Sequence, residues 1–388
     1  MGRRAVSVSA LALVLVVPLV GAGGADAAAP KVRVKVLARG LDSPRGLAVA
    51  SNGDLYLAQA GKGGAGPCFI GAEGPTCLGA TGKISKIQGT TLSDVVTGLP
   101  SLGLQGSGDN AIGPSDVSFN RGRLYATFGL AADPDVRTRA TTPIPPGGLG
   151  GSALARRLAT LNRITTKPGK ARQLADIGAF EKARNPDRAA IDTNPNSVVA
   201  NKNSRVVVDA GGNSLLRVRR NGTVRTMAVF PDEAAVPNPG GTPPTIAPQA
   251  VPDSVVRGPD GAYYVGQLTG FPFVKGTATV FRVVPGKAPR VYADGFTNII
   301  DLAFDRNGDL LVLEIARNGL FGPLITQNNA WEGALIRVRK SGGTVRTKTL
   351  LTKPLFAPGG ITVDGRNIYV SNRSVFAGRG QILRLRVG

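Results

Sequence analysis

Residues 43–59 alternate short apolar runs with turn residues, and the rest of the chain repeats this pattern. The stretch reads SPRGLAVASNGDLYLAQ, which predicts two short strands, GLAVA and DLYLAQ. Between them stands Asn52-Gly53, a pair that tight hairpins favour. The pattern therefore predicts a β-hairpin at the start of a repeating unit.

Five further copies of this hairpin follow, spaced roughly 50 to 80 residues apart. They are residues 114–128, 195–209, 252–267, 300–314 and 358–372. A strand-rich repeat of this size, without helical periodicity, is typical of a β-propeller with one blade per copy. The sequence thus predicts an all-β fold, a six-bladed β-propeller.

Each copy continues into a third strand, such as SLLRVRR at 214–220, and most then add a fourth, such as VRTMAVF at 224–230. This gives the four-stranded antiparallel blades of a propeller. The sixth copy ends on its third strand, QILRLRV, while VRVKVLARG at 32–40 precedes the first copy. We therefore expect the N-terminal strand to close the last blade, which removes an open sheet edge.

The turns between first and second strands are short, whereas two other sets of connections are long and irregular. In an up-and-down blade these two long sets share one face, so that face is the predicted binding side. The alternative is that long loops merely tolerate insertion. The long connections are residues 60–82, 129–158, 178–194, 231–251, 268–277 and 315–333.

Residues 1–27 have a basic start, an apolar run and small residues before the expected cleavage site. These features predict a signal peptide and a secreted protein rather than a membrane anchor, because the apolar run is short and glycines interrupt it. Residues 28–388 are then one propeller domain, expected to be a monomer without a transmembrane anchor.

The formal net charge is +22, and histidine is absent. Without histidine, Ser-His-Asp triads and His metal ligands are excluded. The charge favours an anionic partner such as a cell-wall polymer, although scattered arginines on outer strands also fit a solvent-facing surface. Regularly spaced stacking aromatics are missing, so we expect no nucleic-acid partner.

Cys68 and Cys77 are the only cysteines and lie in the first long loop. In an exported chain they are expected to form a disulfide that fixes this loop. Two further loop segments carry weaker signals. GGLGGS at 147–152 reads as flexible loop, and Trp331 is expected either to pack over the propeller or to stack on a sugar.

Aligning the copies places polar residues in two columns, each predicted to form a ring about the axis. The first column lies at the start of the innermost strands, with Arg45 facing Asp253 and Asp116 facing Asp301. The second column lies at the end of the second strands. Together the columns give ten candidate ligand-binding residues: Arg45, Asp116, Asn196, Asp253, Asp301, Gln59, Asp209, Gln267, Glu314 and Asn372.

Three interpretations of these columns stay open. Carboxylates and amides near an axis suit Ca²⁺, for which Asp253, Asn196, Asp209 and Glu314 are the candidate ligands. The same groups suit a sugar or another polar ligand. They also suit a structural role, in which they bond backbone or trapped water between blades.

Residues 206–222, VVVDAGGNSLLRVRRNG, resemble the NHL repeat. More of the chain resembles the secreted ScyD/ScyE family, through VLARGLDSPRGLAV, the GPCF…C…TG loop, NPNSVVA, VPDSVVRGPDGAYYVGQLTGFPF and GGITVDGRNIYVSN. This resemblance implies a secreted six-bladed NHL-like propeller and supplies no established activity. A looser likeness to gluconolactonase-type propellers implies a divalent metal at the tunnel mouth, whereas the catalytic histidine of quinone-dependent sugar dehydrogenases has no counterpart here.

The leading interpretation is a secreted propeller that binds an extracellular polar or anionic ligand through the long-loop face. The alternative is a Ca²⁺-dependent lactonase-like hydrolase, in which the cation polarises the ester carbonyl. Whether the protein catalyses a reaction, and whether Ca²⁺ is its cofactor, stays open at the level of the sequence.

Overall fold

The structure is a computed structural model that describes residues 32–141, 147–320, 331–341 and 344–387 of the 388-residue chain. The predicted signal peptide, residues 1–27, lies outside the described residues. So does the middle of the last long loop, residues 321–330.

The described chain consists mainly of antiparallel β-strands, as the repeated hairpins predict. The first strands are β1 (Val32–Leu41), β2 (Pro44–Val49), β3 (Leu55–Gln59), β4 (Cys68–Gly71), β5 (Gly74–Gln88), β6 (Thr91–Leu104), β7 (Pro114–Asn120), β8 (Arg123–Phe128), β9 (Thr160–Thr166), β10 (Gly169–Asp176), β11 (Pro195–Ala200), β12 (Ser204–Asp209), β13 (Ser214–Arg219) and β14 (Val224–Val229). The remaining strands are β15 (Val236–Pro237), β16 (Thr245–Ile246), β17 (Pro252–Arg257), β18 (Tyr263–Gln267), β19 (Ala278–Val283), β20 (Arg290–Phe296), β21 (Ile299–Phe304), β22 (Leu310–Glu314), β23 (Ala334–Ser341), β24 (Thr344–Leu351), β25 (Gly360–Asp364), β26 (Asn367–Asn372) and β27 (Gly380–Val387).

Each copy of the predicted hairpin supplies the first two strands of one sheet. Four sheets run in simple order, β7 to β10, β11 to β14, β17 to β20 and β21 to β24. A fifth contains β25, β26, β27 and β1, and a sixth contains β2, β3 and β5 with β4 and β6 attached to β5. The all-β class is therefore confirmed, and five of these six sheets have the predicted four antiparallel strands, whereas the sixth gains a fifth strand, β4.

The first described strand pairs with the last one. β1 lies antiparallel to β27, with Val32 opposite Val387 and Lys35 opposite Arg384. The pairing covers most of β1 and makes it the outer strand of the sheet that β25 begins. Two strands from opposite parts of the chain thus share one sheet.

The core lies between adjacent sheets. The innermost strands contact one another in the cyclic order β2, β7, β11, β17, β21, β25 and back to β2. Apolar side chains from neighbouring sheets fill the wedges between them, for example Val117, Ala126 and Tyr56 in one wedge. Because successive residues of a strand point to opposite faces, each buried hairpin packs against both of its neighbours.

The long connections contain more regular structure than the sequence predicts. Residues 60–82 hold strand β4 and the start of β5, and residues 231–251 hold the short pair β15 and β16. A helix, α1 (Ile177–Arg184), follows β10. The side chain of Asp176 accepts a hydrogen bond from the Ala179 amide at its start, and Asn185 ends it with a left-handed backbone. Two 3₁₀ turns, Pro134–Arg137 and Ala155–Arg157, lie in the loop after β8.

The predicted disulfide is present. Cys68 and Cys77 face each other across the β4–β5 hairpin and are bonded. No helix within the described ranges has the length and apolar character needed to cross a membrane.

Candidate functional site

An axial cavity of about 270 Å³ opens at one end of the ring of inner strands. One residue at the start of each innermost strand, or directly before it in the case of β25, lines the cavity: Arg45, Ser115, Asn196, Asp253, Ile300 and Gly359. The long connections complete its wall through residues such as Asn110, Leu268 and Trp331. The long loops therefore surround the entrance of the axis at this end.

A second, larger cavity lies beside the first and is called the aromatic cavity here. Its volume is about 880 Å³, and Glu73, Asn110, Phe273 and Trp331 line both cavities. The two spaces are thus adjoining parts of one depression on the long-loop face. The other residues of the aromatic cavity are Ala72, Leu104, Ser107, Asp109, Phe271, Phe356, Arg373, Phe376 and Arg379.

The aromatic rings of this cavity contact each other and the guanidinium groups of two arginines. The rings of Phe356 and Phe376 are stacked with centroids 5.7 Å apart, and Trp331 meets Phe376 edge-on at 5.9 Å. The guanidinium of Arg373 lies 5.3 Å from the centre of the Phe356 ring, and that of Arg379 lies 4.4 Å from Phe376. Such contacts fix flat apolar surfaces next to cationic groups.

A carboxylate joins two loops at the edge of the aromatic cavity. Asp109 accepts hydrogen bonds from the Ala377 amide at 2.8 Å and from the Arg379 guanidinium at 3.0 Å. Arg379 is therefore already paired, whereas Arg373 takes part in no ion pair within the described residues. Arg373 is the cation of this cavity that remains available to a ligand.

The opposite end of the axis is lined by short turns instead of long loops. A cavity of about 660 Å³ there is lined by all six innermost strands and by the short first-to-second turns, including Arg121 and Lys202. Asp116 and Asp301 face this space. The short turns thus gather at one end and the long loops at the other, as the loop lengths predict.

Arg45 and Asp253 both line the axial cavity and interact electrostatically. Burial raises the pKa of Asp253 to about 7, and Arg45 opposes this rise. Arg45 donates a hydrogen bond to the Ala111 carbonyl at 2.8 Å, and burial lowers its pKa. Asp253 is 4% exposed, and its Oδ2 atom has no hydrogen-bond partner within the described residues. It is the buried carboxylate that can still accept a proton or bond in this cavity.

Asp116 and Asp301 instead connect neighbouring sheets. Oδ2 of Asp116 accepts hydrogen bonds from the Val198 amide at 2.8 Å and the Ser197 hydroxyl at 3.1 Å. Oδ2 of Asp301 accepts one from the Ile361 amide at 2.7 Å. Burial raises the pKa of both carboxyls, and the charge of Asp116 raises that of Asp301 further because like charges repel.

Asn196 makes a similar connection. Its side-chain amide donates to the Asp253 carbonyl at 3.0 Å, and its own backbone carbonyl accepts from the Thr127 hydroxyl at 3.1 Å. It joins three consecutive sheets while also lining the axial cavity.

The second column fastens loops to strand ends. Oδ1 of Asp209 accepts from the Asn194 amide at 2.6 Å, and Oε1 of Glu314 accepts from the Thr297 amide at 2.7 Å. Burial raises the pKa of Asp209 to about 6 and that of Glu314 to about 7. The other members do the same: Gln59 accepts from Asp42, Gln267 from Thr279, and Asn372 from Phe356.

The four candidate metal ligands do not converge. Asn196 and Asp253 line the axial cavity, whereas Asp209 and Glu314 do not and use an oxygen each to hold a loop. Across the described ranges, no group of three or more His, Cys, Asp or Glu side chains is arranged to hold a metal. The residues therefore do not fit a calcium ion at the mouth of the axis.

Sequence reasoning missed most of the aromatic cavity. Phe356, Arg373, Phe376 and Arg379 come from two loops around β25 and β26 that are close in space but show no motif. The sequence segment that could have indicated this cavity is VGQLTGFPF, which contains Phe271 and Phe273. It is part of the resemblance to the ScyD/ScyE family and does not by itself indicate a binding site. The columns, in contrast, follow directly from aligning the copies.

Solved structures similar to this chain share its fold at low sequence identity. The putative oxidoreductase (glucose dehydrogenase) of Thermus thermophilus has a TM-score of 0.51 and 18% identity, over 92% of this chain and 100% of that chain. The PQQ-bound aldose sugar dehydrogenase of Streptomyces coelicolor has a TM-score of 0.50 and 14% identity, over 93% and 100%.

A third similar structure is virginiamycin B lyase of Staphylococcus aureus, with a TM-score of 0.47 and 15% identity, over 92% of this chain and 99% of that chain. Neither a protein-family model nor a curated protein sequence matches the chain. The structural neighbours are propeller-like, and the fold of this chain is propeller-like as well.

Proposed function

We propose that this chain is a secreted, closed six-bladed β-propeller of the NHL-like ScyD/ScyE type that binds an extracellular saccharide. Six sheets with innermost strands in cyclic contact support the closed ring, as does the β1–β27 pairing. The signal-like residues 1–27 and the Cys68–Cys77 disulfide support export.

The observation that carries the binding function is the aromatic cavity. Flat rings of Phe356 and Phe376 stand beside polar groups of Glu73, Asn110 and Arg373. Sugar rings present apolar C–H faces and polar edges, so they need both kinds of contact at once. The cavity lies on the long-loop face, where rigid scaffolds carry their binding residues.

One cation of the site, Arg373, favours an acidic saccharide. Arg373 has no carboxylate partner within the described residues, and a guanidinium binds a sugar carboxylate or sulfate with two parallel hydrogen bonds. The net charge of +22 attracts an anionic polymer from solution. The ligand class is thus an extracellular anionic polysaccharide such as a cell-wall polymer.

Calorimetry with two size-matched probes tests this function. An oligogalacturonate is expected to bind, with an affinity that falls as salt rises, and a malto-oligosaccharide of the same length is expected to bind more weakly. Arg373→Ala should reduce the affinity for oligogalacturonate by about tenfold, the effect of losing one charge-assisted contact. Phe356→Ala should weaken both probes, because it removes part of the apolar wall of the aromatic cavity.

Arg163→Ala is the matched control, since Arg163 is exposed on β9 and distant in sequence from both cavities. Equal losses in Arg163→Ala and Arg373→Ala would assign binding to overall charge instead of this cavity. No binding of either probe would reject the saccharide class.

Asp253 favours a second candidate function, hydrolysis in the axial cavity. A buried carboxyl with a pKa near 7 and a free oxygen is suited to accept and return a proton at neutral pH. A lactone or ester bound against Arg45 would have its carbonyl polarised by the guanidinium. This replaces the Ca²⁺-dependent lactonase as the hydrolytic alternative, because the predicted calcium ligands do not converge.

A panel of lactones and esters tests the second function. Turnover by the native protein that falls at least about a hundredfold in Asp253→Asn, with unchanged folding, would support it. Turnover that is unaffected by this substitution would reject Asp253 as the catalytic group.

A further inference from the structure

Glu181 is a buried carboxylate with no hydrogen-bond partner among the residues that the structure describes. It lies on α1, in the connection between β10 and β11, and its exposed fraction is 0%. Neither Oε1 nor Oε2 has a partner within the described residues. Burying an ionised carboxylate without compensation is costly, so such a group either takes up a proton or is balanced by a positive charge.

The groups around Glu181 increase the imbalance. Burial raises the pKa of Glu181 to about 8, and the charges of Asp209, Asp187 and Asp192 act in the same direction. The charges that act on Glu181 thus come mainly from other carboxylates. This is unusual in a chain with 47 basic and 25 acidic residues. The next residue, Lys182, does not help because it pairs with Asp135 on the exposed side of the helix.

Further buried oxygens in the same connection also lack partners. These are Oδ1 of Asn185, which ends α1 one turn after Glu181, and Oδ1 of Asp192. Asp209 uses its oxygens to accept bonds from Thr193, Asn194 and Gly212. Each carboxylate oxygen has a second lone pair that can still bind a cation.

Gly212 provides the space between Glu181 and Asp209. A Cβ atom at Gly212 would lie 2.6 Å from Oε2 of Glu181 and 3.4 Å from Oδ2 of Asp209. The two oxygens are therefore no more than about 6 Å apart and face the same small volume. A hard cation binds oxygens at about 2.3–2.6 Å, so a modest adjustment lets one ion contact both.

We propose that Glu181 and Asp209 together hold a divalent hard cation, Ca²⁺, beneath α1, with neutral oxygens of the β10–β11 connection completing its shell. No three acidic side chains of the described chain form a ready metal site, so two carboxylates supply the charge. Two carboxylates match the double charge of the ion, and Ca²⁺ accepts carbonyl, amide and water oxygens for the rest. The site differs from the predicted one at the mouth of the axis, with which it shares only Asp209.

The ion would organise one wall of the axial cavity. Asp209 also holds the amide of Asn194, and Asn194 lines that cavity and accepts a bond from the Leu130 amide at 3.2 Å. Cation binding at Asp209 therefore fixes the connection that carries Asn194.

Thermal unfolding of the mature protein with CaCl₂ alone as the probe tests this site. After chelator treatment and dialysis, added Ca²⁺ is expected to raise Tm saturably, and Mg²⁺ to raise it less, because Mg²⁺ dehydrates reluctantly. Glu181→Gln should remove the Ca²⁺ response while keeping the fold, since glutamine has the same size and no charge. Asp294→Asn, an exposed carboxylate on β20, is the matched control and should keep the full response.

Calorimetric titration of Ca²⁺ into each folded variant gives a readout independent of Tm. We expect one Ca²⁺ site in the native protein and in Asp294→Asn. We expect no Ca²⁺ site in Glu181→Gln. The proposal is overturned if Ca²⁺ has no effect on the native protein, or if Glu181→Gln still binds it. Loss of binding in Asp253→Asn with retention in Glu181→Gln would overturn it too, by locating the ion in the axial cavity.

Discussion

Oδ2 of Asp116 accepts a hydrogen bond from the Val198 amide at 2.8 Å, across the boundary between two sheets. The same carboxylate accepts from the Val117 amide of its own strand at 2.7 Å. On its other side, a Cβ at Gly46 would overlap Oδ1 of Asp116, so the strand of the preceding sheet passes directly against it. One side chain therefore contacts three consecutive sheets.

Asp116→Ala is expected to destabilise the protein by about 1–3 kcal/mol, because the Val198 and Val117 amides lose their acceptor in a buried place. Urea unfolding at neutral pH measures this change. The control is Asp294→Ala, which removes an exposed carboxylate and should change the free energy of unfolding by less than about 0.5 kcal/mol. Equal stability of the two variants would contradict the structural role of Asp116.

The free energy of unfolding is expected to fall between about pH 4 and pH 7. The pKa of Asp253 is about 7 in the folded protein and about 3.9 when unfolded, so the folded state binds the proton more tightly. Its contribution is full below the unfolded pKa and is lost as pH rises through about 7. Glu314, whose pKa burial raises to about 7, acts in the same direction.

Urea unfolding at several pH values, compared between the native protein and Asp253→Asn, isolates the contribution of Asp253. Removing this group should reduce the slope by up to about 1.4 kcal/mol per pH unit. A slope unchanged in Asp253→Asn, or a stability that rises with pH, would contradict the raised pKa.

Replacing both cysteines is expected to loosen one wall of the binding site. Cys68→Ser with Cys77→Ser should cost at most about 2–3 kcal/mol, because the closed loop is short. The main effect is local, since the β4–β5 hairpin carries Glu73, which lines both cavities. Hydrogen exchange should accelerate at residues 68–77 and stay unchanged at β11 to β14. Uniform acceleration over all sheets would show that the disulfide stabilises the whole fold.

Deletion of residues 32–39 is expected to unfold the protein or make it oligomerise. These residues form most of β1, and their removal leaves β27 as an open edge that can pair with another chain. Size-exclusion chromatography and melting curves measure the outcome. A deletion variant that remains a monomer with an unchanged Tm would contradict this expectation.

Much of the fold follows from the sequence because apolar and polar residues alternate along each hairpin. Only one pairing register of the two strands buries all of the apolar residues. The strands predicted at 214–220 and 224–230 begin at the same residues as β13 and β14 and extend one residue beyond their ends. The polar columns were found for the same reason, since repeated copies place equivalent residues at equivalent positions. The role of each polar residue in a column depends on its contacts with the adjacent sheet. The sequence of a single repeat does not show these contacts.

The parts that the sequence did not predict depend on contacts between unrelated loops. Helix α1 is eight residues long and forms because Asp176 caps it and its buried face packs in place, while its own periodicity is weak. The aromatic cavity brings Phe271 of one connection to Phe376 of another. Glu181 was not predicted because a single glutamate carries no pattern until Asp209 and Gly212 surround it.

The pairing of β1 with β27 also bears on the order in which the molecule can be made. During synthesis, β1 emerges before all other described strands and has no partner until β27 follows. Its exposed hydrogen-bonding edge would meanwhile attract strands of other nascent chains, and Arg33, Lys35 and Arg39 supply the positive charge that discourages such encounters. A chaperone that shields β1 during synthesis would thus protect the strand that waits longest for its partner.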